Sequence, residues 1–292
     1  MKRLLTTLMF TFALTLSVDA QTVETLPEAR DAARKEINEG ARAYRREDFG
    51  EAQRRFERAL ELDPLNKNAP FFVARAIHAQ YRPGVKTPEN VGIARAAIAA
   101  YQRVLVADPE SDEAYNATVY LYRMIKEDAL ERQWLIRRAT DERISGERRS
   151  LAYTVLASKD WQCSYDFTEQ KEVKTTVRRN RKLMLRYVKP TNTDGYLAAQ
   201  QCVTRGLEFV EKAISLDAES EQAWSFKANL SMEAVKLAEM DRNPGRRSVY
   251  QQLADEAARR VGELTEQNRK KKEAEEKRKA AEAKRKAADS VH

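Results

Sequence analysis

The stretch "GARAYRREDFGEAQRRFERALELDPLN" (40–66) limits what this chain can fold into more than any other. Within it Gly40, Ala52, Phe56, Ala59 and Pro64 read small, small, aromatic, small, proline. That order suits two antiparallel helices. Small residues let the backbones approach, a ring fills the gap between them, and proline ends the second helix because it cannot continue one. The signature returns in "ARAAIAAYQRVLVADPES", with Ala97, Tyr101 and Pro109. The two prolines are about 45 residues apart, so a unit of about 34 has gained about 11. The gain falls at "RPGVKTPENVG" (82–92), whose Pro and Gly residues mark a loop between paired helices.

Three weaker copies follow. One opens at Tyr115 and runs to "ERQWLIRRAT", where most of the second-helix pattern is lost. Another begins "LAYTVLASKDW" (151–161) and resumes at "GLEFVEKAISLDAES" (206–220), with Ala218 in place of the proline. The last starts "EQAWSFKANL", with Trp224 and Ala228, and closes on a helix near 247–266. "FGEAQRRFERALELDPLN" is close to the consensus of the tetratricopeptide repeat, and the chain resembles that family across these five units. The expected fold is therefore all-α: a tetratricopeptide-type helical-hairpin solenoid of about five units. In such arrays each unit leaves one face for its neighbour to cover. Composition agrees. Apolar residues at 42% and charged residues at 34% fit helices with one buried and one solvated face, and 9 Gly with 8 Pro are too few for a sheet sandwich.

The N-terminus reads as an export signal. Lys2 and Arg3 precede an apolar run from Leu4 to Leu16, and Val18 and Ala20 suit cleavage before Gln21. The run is too short to span a bilayer, which takes about 20 apolar residues. No later stretch is apolar enough to cross a membrane, so the mature chain is expected to be soluble, and periplasmic or secreted. The expected layout is a signal over 1–20, the solenoid over 21–266 with an insertion at 163–194, and a charged Lys/Glu/Ala-rich tail over 267–292.

Inside the insertion, "VKTTVRRNRKLMLRYV" (173–188) does not read as repeat helix. Val173, Thr175 and Val177 alternate with other residues, as do Leu183, Leu185 and Tyr187, around a short polar turn. Period-two patterning favours a β-hairpin over the competing amphipathic helix. The only cysteines, Cys163 and Cys202, flank this segment. Cys163 is expected to end one helix of the fourth unit and Cys202 to lie near the start of the next. An even count in an exported chain favours a disulfide, with two buried free thiols as the alternative.

Catalytic motifs are missing from the sequence. A cysteine nucleophile needs a base, and the only histidines are His78 and the terminal His292. There is no zinc-type Cys/His spacing, no H-E-x-x-H and no phosphate-binding G-x-x-x-x-G-K-[ST] loop. The many carboxylates sit among Lys and Arg at helical spacing and read as a solvated, ion-paired surface. No enzyme activity, cofactor or metal is expected.

The resemblance implies that partners, protein or peptide, bind in a groove lined by the first helix of each unit. Carried over, that groove includes Tyr44, Phe71, Arg75, Asn116, Tyr120, Arg123, Trp161 and Asn229, with Thr154 beside Trp161. About half of the carried-over groove positions are expected to face solvent. A clamp for a C-terminal carboxylate would want Lys and Asn where Ile37 and Ala41 stand, so that ligand class does not fit.

A second surface is the hairpin tip, where Arg178, Arg179, Arg181 and Lys182 cluster. With the C-terminal tail it supplies the alternative function: electrostatic binding of an anionic envelope polymer or membrane surface. The net charge of +8 permits such partners without demanding them. Export and the lack of aromatics around the cluster argue against nucleic acid. The tail itself has no a/d seam for a coiled coil and is expected to be a solvated helix or disordered.

Overall fold

The computed structural model describes residues 26–179 and 182–289. The N-terminal signal expected over 1–20 lies outside the described residues. Ten helices and one two-stranded sheet are present among them. The chain forms two compact units, dividing between Gln80 and Tyr81, inside the second repeat.

The first unit holds α1 (Pro27–Arg45), α2 (Phe49–Leu62) and α3 (Ala69–Gln80). Asp48 caps α2 by accepting from the Glu51 amide at 3.1 Å. The small and aromatic positions of the repeat behave as their chemistry requires. Ala43, Ala52, Phe56 and Ala59 are buried, and Gly40 lies flat against the Phe56 ring. A Cβ at Gly40 would stand 2.6 Å from Phe56 Cε1, so only glycine allows this approach.

The second unit begins with α4 (Pro88–Ala107), α5 (Asp112–Met124), α6 (Asp128–Thr140) and α7 (Gly146–Thr168). After the insertion come α8 (Asp194–Leu216), α9 (Glu221–Met240) and α10 (Pro244–Asp289). These helices pack in chain order, α4 on α5 through to α9 on α10, with α7 touching both α8 and α9. Thr87, Ser111 and Ser220 cap α4, α5 and α9 through their side chains. One core centres on Tyr115, Leu135, Tyr153, Leu156, Val210 and Leu230, and a second on Phe167, Val173, Tyr196, Val203, Leu237 and Met240.

The loop expected at 82–92 is short, because α4 starts at Pro88. Asn90 closes it: its side chain accepts from the Arg82 amide and donates to the Arg82 and Val85 carbonyls at 2.9, 2.8 and 2.7 Å.

The insertion begins later in the chain than expected. Helix α7 does not stop at Cys163 but runs on to Thr168, whereas α8 begins at Asp194, where the insertion was expected to end. The physical reason is buried contact beyond the cysteine. Phe167 enters the second core, and the Ser164 and Thr168 hydroxyls donate to the Glu233 carboxylate at 3.1 and 2.8 Å. Between the helices, β1 (Lys174–Arg179) and β2 (Lys182–Tyr187) pair antiparallel, with Val177 opposite Met184 and Thr176 opposite Leu185. The hairpin is thus formed, not the competing helix. Cys163 and Cys202 form a disulfide with Cα atoms 6.2 Å apart, joining the facing sides of α7 and α8. At the C-terminus α10 is one helix, its buried contacts ending at Leu264. Beyond that point exposed pairs such as Lys279–Glu275 and Lys286–Glu282 run along its surface.

Candidate functional site

In the first unit the structure brings three of the expected groove residues together. Arg75 on α3 lays its guanidinium 5.4 Å from the Tyr44 ring centroid and 5.9 Å from that of Phe71. Among the described residues Arg75 has no carboxylate in ion-pair reach. Beside it a cavity of about 180 Å³ is lined by Ile37, Ala41, Tyr44, Phe56 and Phe72, with Arg45 and Arg75 at its edge. An apolar hollow rimmed by guanidinium groups suits an apolar side chain on a backbone rich in acceptors. His78 lies further along α3, half-buried, and burial holds its imidazole below the ordinary histidine value.

In the second unit Asn116 and Tyr120 lie exposed on α5, one turn apart. Arg123 continues that face but is committed elsewhere. It donates from Nε and Nη2 to Glu131 at 3.2 and 2.9 Å, so it braces α5 against α6 rather than standing ready for a partner. Trp161 is half-buried, its ring 5.1 Å from Tyr165 and 6.0 Å from Phe226. Asn229 is half-buried on α9. Thr154 is fully buried, its hydroxyl donating to the Ser150 carbonyl at 2.9 Å, so it lines no groove.

The reading of the carboxylates as surface groups needs correction at four positions, Asp63 in the first unit and three more in the second. Glu131, Asp160 and Glu233 are buried in the second unit. Lys159 and Arg123 hold Glu131; Arg132 and Arg205 hold Asp160 at 2.9 and 3.0 Å; Lys236 holds Glu233 at 2.6 Å. Glu131 and Asp160 tie their helices to neighbours through these cations, whereas Lys236 lies on the same helix as Glu233, which reaches α7 through the Ser164 and Thr168 hydroxyls; every one of these cations still reaches solvent. Arg138 behaves similarly, packed 4.0 Å from the Tyr115 ring centroid and paired with Asp112 at 2.5 Å. Among the described residues no group of His, Cys, Asp and Glu is placed to hold a metal.

The hairpin presents a different chemistry. Arg178 is exposed, and Arg179 pairs with Lys182 across the ladder, while Arg181 lies outside the described residues. Sequence reasoning stopped at this basic tip and missed what stands behind it. Leu183, Met184 and Leu185 are 68%, 49% and 52% exposed. Met184 and Leu185 border a cleft of about 470 Å³ whose other walls carry Arg186, Arg242 and Arg247, with Glu239 as its one acid. The signal that could have exposed this was the alternation itself, since a ribbon with apolar residues on both faces leaves one face uncovered.

Comparison with known proteins adds the following. No protein-family model and no curated protein sequence matches the chain. Among solved structures, a MamA RS-1 ArsTM double mutant is 17% identical, covering 82% of this chain and 97% of that one, with a TM-score of 0.40. MamA residues 41 to the end from Desulfovibrio magneticus RS-1 is 16% identical over 77% and 97% of the two chains, with a TM-score of 0.36. Pseudomonas aeruginosa PilF is 14% identical over 76% and 90%, also with a TM-score of 0.36. The class rests on the molecule's own hairpins. The α1–α2 pair, which meets through Gly40, Ala52, Phe56 and Ala59 in the order of the repeat consensus, gives the chain a tetratricopeptide-type helical-hairpin fold.

Proposed function

We propose that the chain is a non-catalytic scaffold of the cell envelope or periplasm that binds protein or extended peptide through the first helices of its repeats. Arg75 carries the reading. A guanidinium stacked on two aromatic rings, beside an apolar hollow and without a carboxylate partner among the described residues, is poised for recognition more than for stability. Asn116 and Tyr120 offer a second exposed polar-aromatic pair in the other unit. Export is supported by the basic-then-apolar N-terminal pattern and by a disulfide that persists in oxidising compartments.

Panning a displayed peptide library on the full mature chain tests the reading. Selected peptides are expected to lose about tenfold in affinity with Arg75→Ala or Tyr44→Ala, the scale of an interface hot spot. Peptides that bind both variants as tightly as the parent would refute the groove. Cell fractionation with N-terminal mass mapping tests the address, and a mature chain beginning at Gln21 is the expected result.

A further inference from the structure

The hairpin's exposed leucines and the arginines behind them ask for a partner that is apolar and anionic at once. We infer that β1–β2 and the cleft beside it form a docking surface for an anionic phospholipid bilayer. The inference is independent of the peptide groove, which uses other residues.

The geometry carries it in three steps. Side chains alternate across a strand, so Leu183 and Leu185 occupy one face of the ribbon and Met184 the other. All three are about half exposed or more, although residues of this kind are usually the ones a fold covers. A rigid protein surface covers one face of a two-stranded ribbon, whereas a fluid lipid interface surrounds both. The charges then select the lipid. Arg186, Arg242 and Arg247 stand around one cleft, and none is ion-paired with a described carboxylate. Guanidinium groups match phosphate geometry, and their aliphatic stems let them sit at headgroup depth while the leucines enter the acyl boundary. A second copy of this chain is a poor occupant, because two hairpins bearing Arg178 and Arg186 repel. The ribbon is also anchored well enough to act as a prong. Val173 is buried, Tyr187 packs on the second core, and the Tyr187 amide donates to Glu239 at 3.4 Å. No described helix is long and apolar enough to cross a membrane, so the contact is peripheral.

Vesicle co-sedimentation of the full mature chain tests this, comparing phosphatidylcholine vesicles with vesicles holding about 30% phosphatidylglycerol. Binding is expected only to the anionic vesicles, falling steeply with salt. Leu183→Ser with Leu185→Ser is expected to cut partitioning by roughly tenfold or more at low salt. Arg242→Gln and Arg247→Gln are each expected to cut it about fivefold and flatten the salt dependence. An environment-sensitive dye on M184C is expected to shift to the blue when vesicles are added. All these positions are exposed, so far-UV circular dichroism is expected to match the parent. Three results would overturn the inference: no sedimentation with anionic vesicles, equal binding to neutral ones, or binding to soluble polyphosphate and vesicles alike that the serine variants leave unchanged.

Discussion

Lys159 on α7 places its Nζ 2.7 Å from Oε2 of Glu131 on α6, a carboxylate whose side chain is fully buried. Losing one partner of a buried pair leaves a charge without compensation, and that is costlier than the pair itself is stabilising. Arg123 still reaches Glu131, so Lys159→Met is expected to cost about 2 kcal/mol, below the full penalty. Glu131→Ala releases two cations that both reach water and is expected to cost less. The double variant should be more stable than Lys159→Met alone. Urea unfolding at pH 7 measures all three, and additive losses would show that the two groups are uncoupled.

Glu131 also shows how much of this molecule was legible. It stands four residues after its helix's N-cap Glu127, as Ala52 stands four after Asp48. Aligning the degenerate third repeat on the first therefore marks Glu131 as buried, in a place where the repeat wants alanine. The period exposed the helix pairs and the hairpin's alternation, because both are local patterns of side-chain direction. It did not reveal where α7 ends, since Ser164 and Thr168 are held by Glu233, more than sixty residues away. The Arg75 stack was legible once the repeat was found, because Tyr44 and Phe71 occupy equivalent faces. The cleft of Arg186, Arg242 and Arg247 was not, because it joins an insertion to a turn between α9 and α10.

Three glycine positions divide into two opposite responses to the same substitution. At Gly40 an added methyl meets the buried Phe56 ring at 2.6 Å, and Gly40→Ala is expected to cost about 1–3 kcal/mol. At Gly92 and Gly262, both helical, nothing lies within 4 Å of the new Cβ. Alanine there is expected to stabilise by about 0.5–1 kcal/mol. Thermal unfolding separates the cases, and a neutral Gly40→Ala would mean that the helices can move apart.

The tight turns of three repeats share one device. Glu47, Lys126 and Arg242 have φ of 62°, 59° and 53°. In each turn the residue after the left-handed one donates back to a carbonyl five residues earlier, as Asp48 does to Ala43 and Glu127 to Tyr122 at 3.0 Å. Glycine adopts this conformation without the Cβ penalty. Lys126→Gly is expected to stabilise by about 0.5–1 kcal/mol, after allowing for the freer unfolded chain. A fall in Tm on this substitution would show that the Lys126 side chain contributes more than its backbone strain removes.

Reduction of the disulfide is expected to lower stability without changing the fold. Cys163 and Cys202 close a loop with a sequence separation of 39, worth roughly 4 kcal/mol in the chain-entropy account. Helices α7 and α8 pack along their length, so helix content at 25 °C should survive. The C163S/C202S variant should match the reduced parent and ignore reductant. Equal Tm values with and without reductant would show that the bridge adds nothing.

The pH dependence of stability tests His78. Burial holds its imidazole below the ordinary value of 6.5, so the folded chain takes up this proton at lower pH than the unfolded chain does. Between the two values the unfolded state binds more protons, and stability therefore rises with pH. The contribution is fully present above about 6.5 and is lost as pH falls through the folded value. Asp141 does not mimic it. Hydrogen-bonded to the Arg143 side chain and backbone amide, it is held down to about 2 and titrates far below this window. The parent is thus expected to melt at lower temperature at pH 5 than at pH 7.5, and His78→Leu should shrink that difference. If the variant keeps the whole difference, the dependence comes from another group, and the imidazole signal of His78 followed by NMR would titrate at its ordinary value.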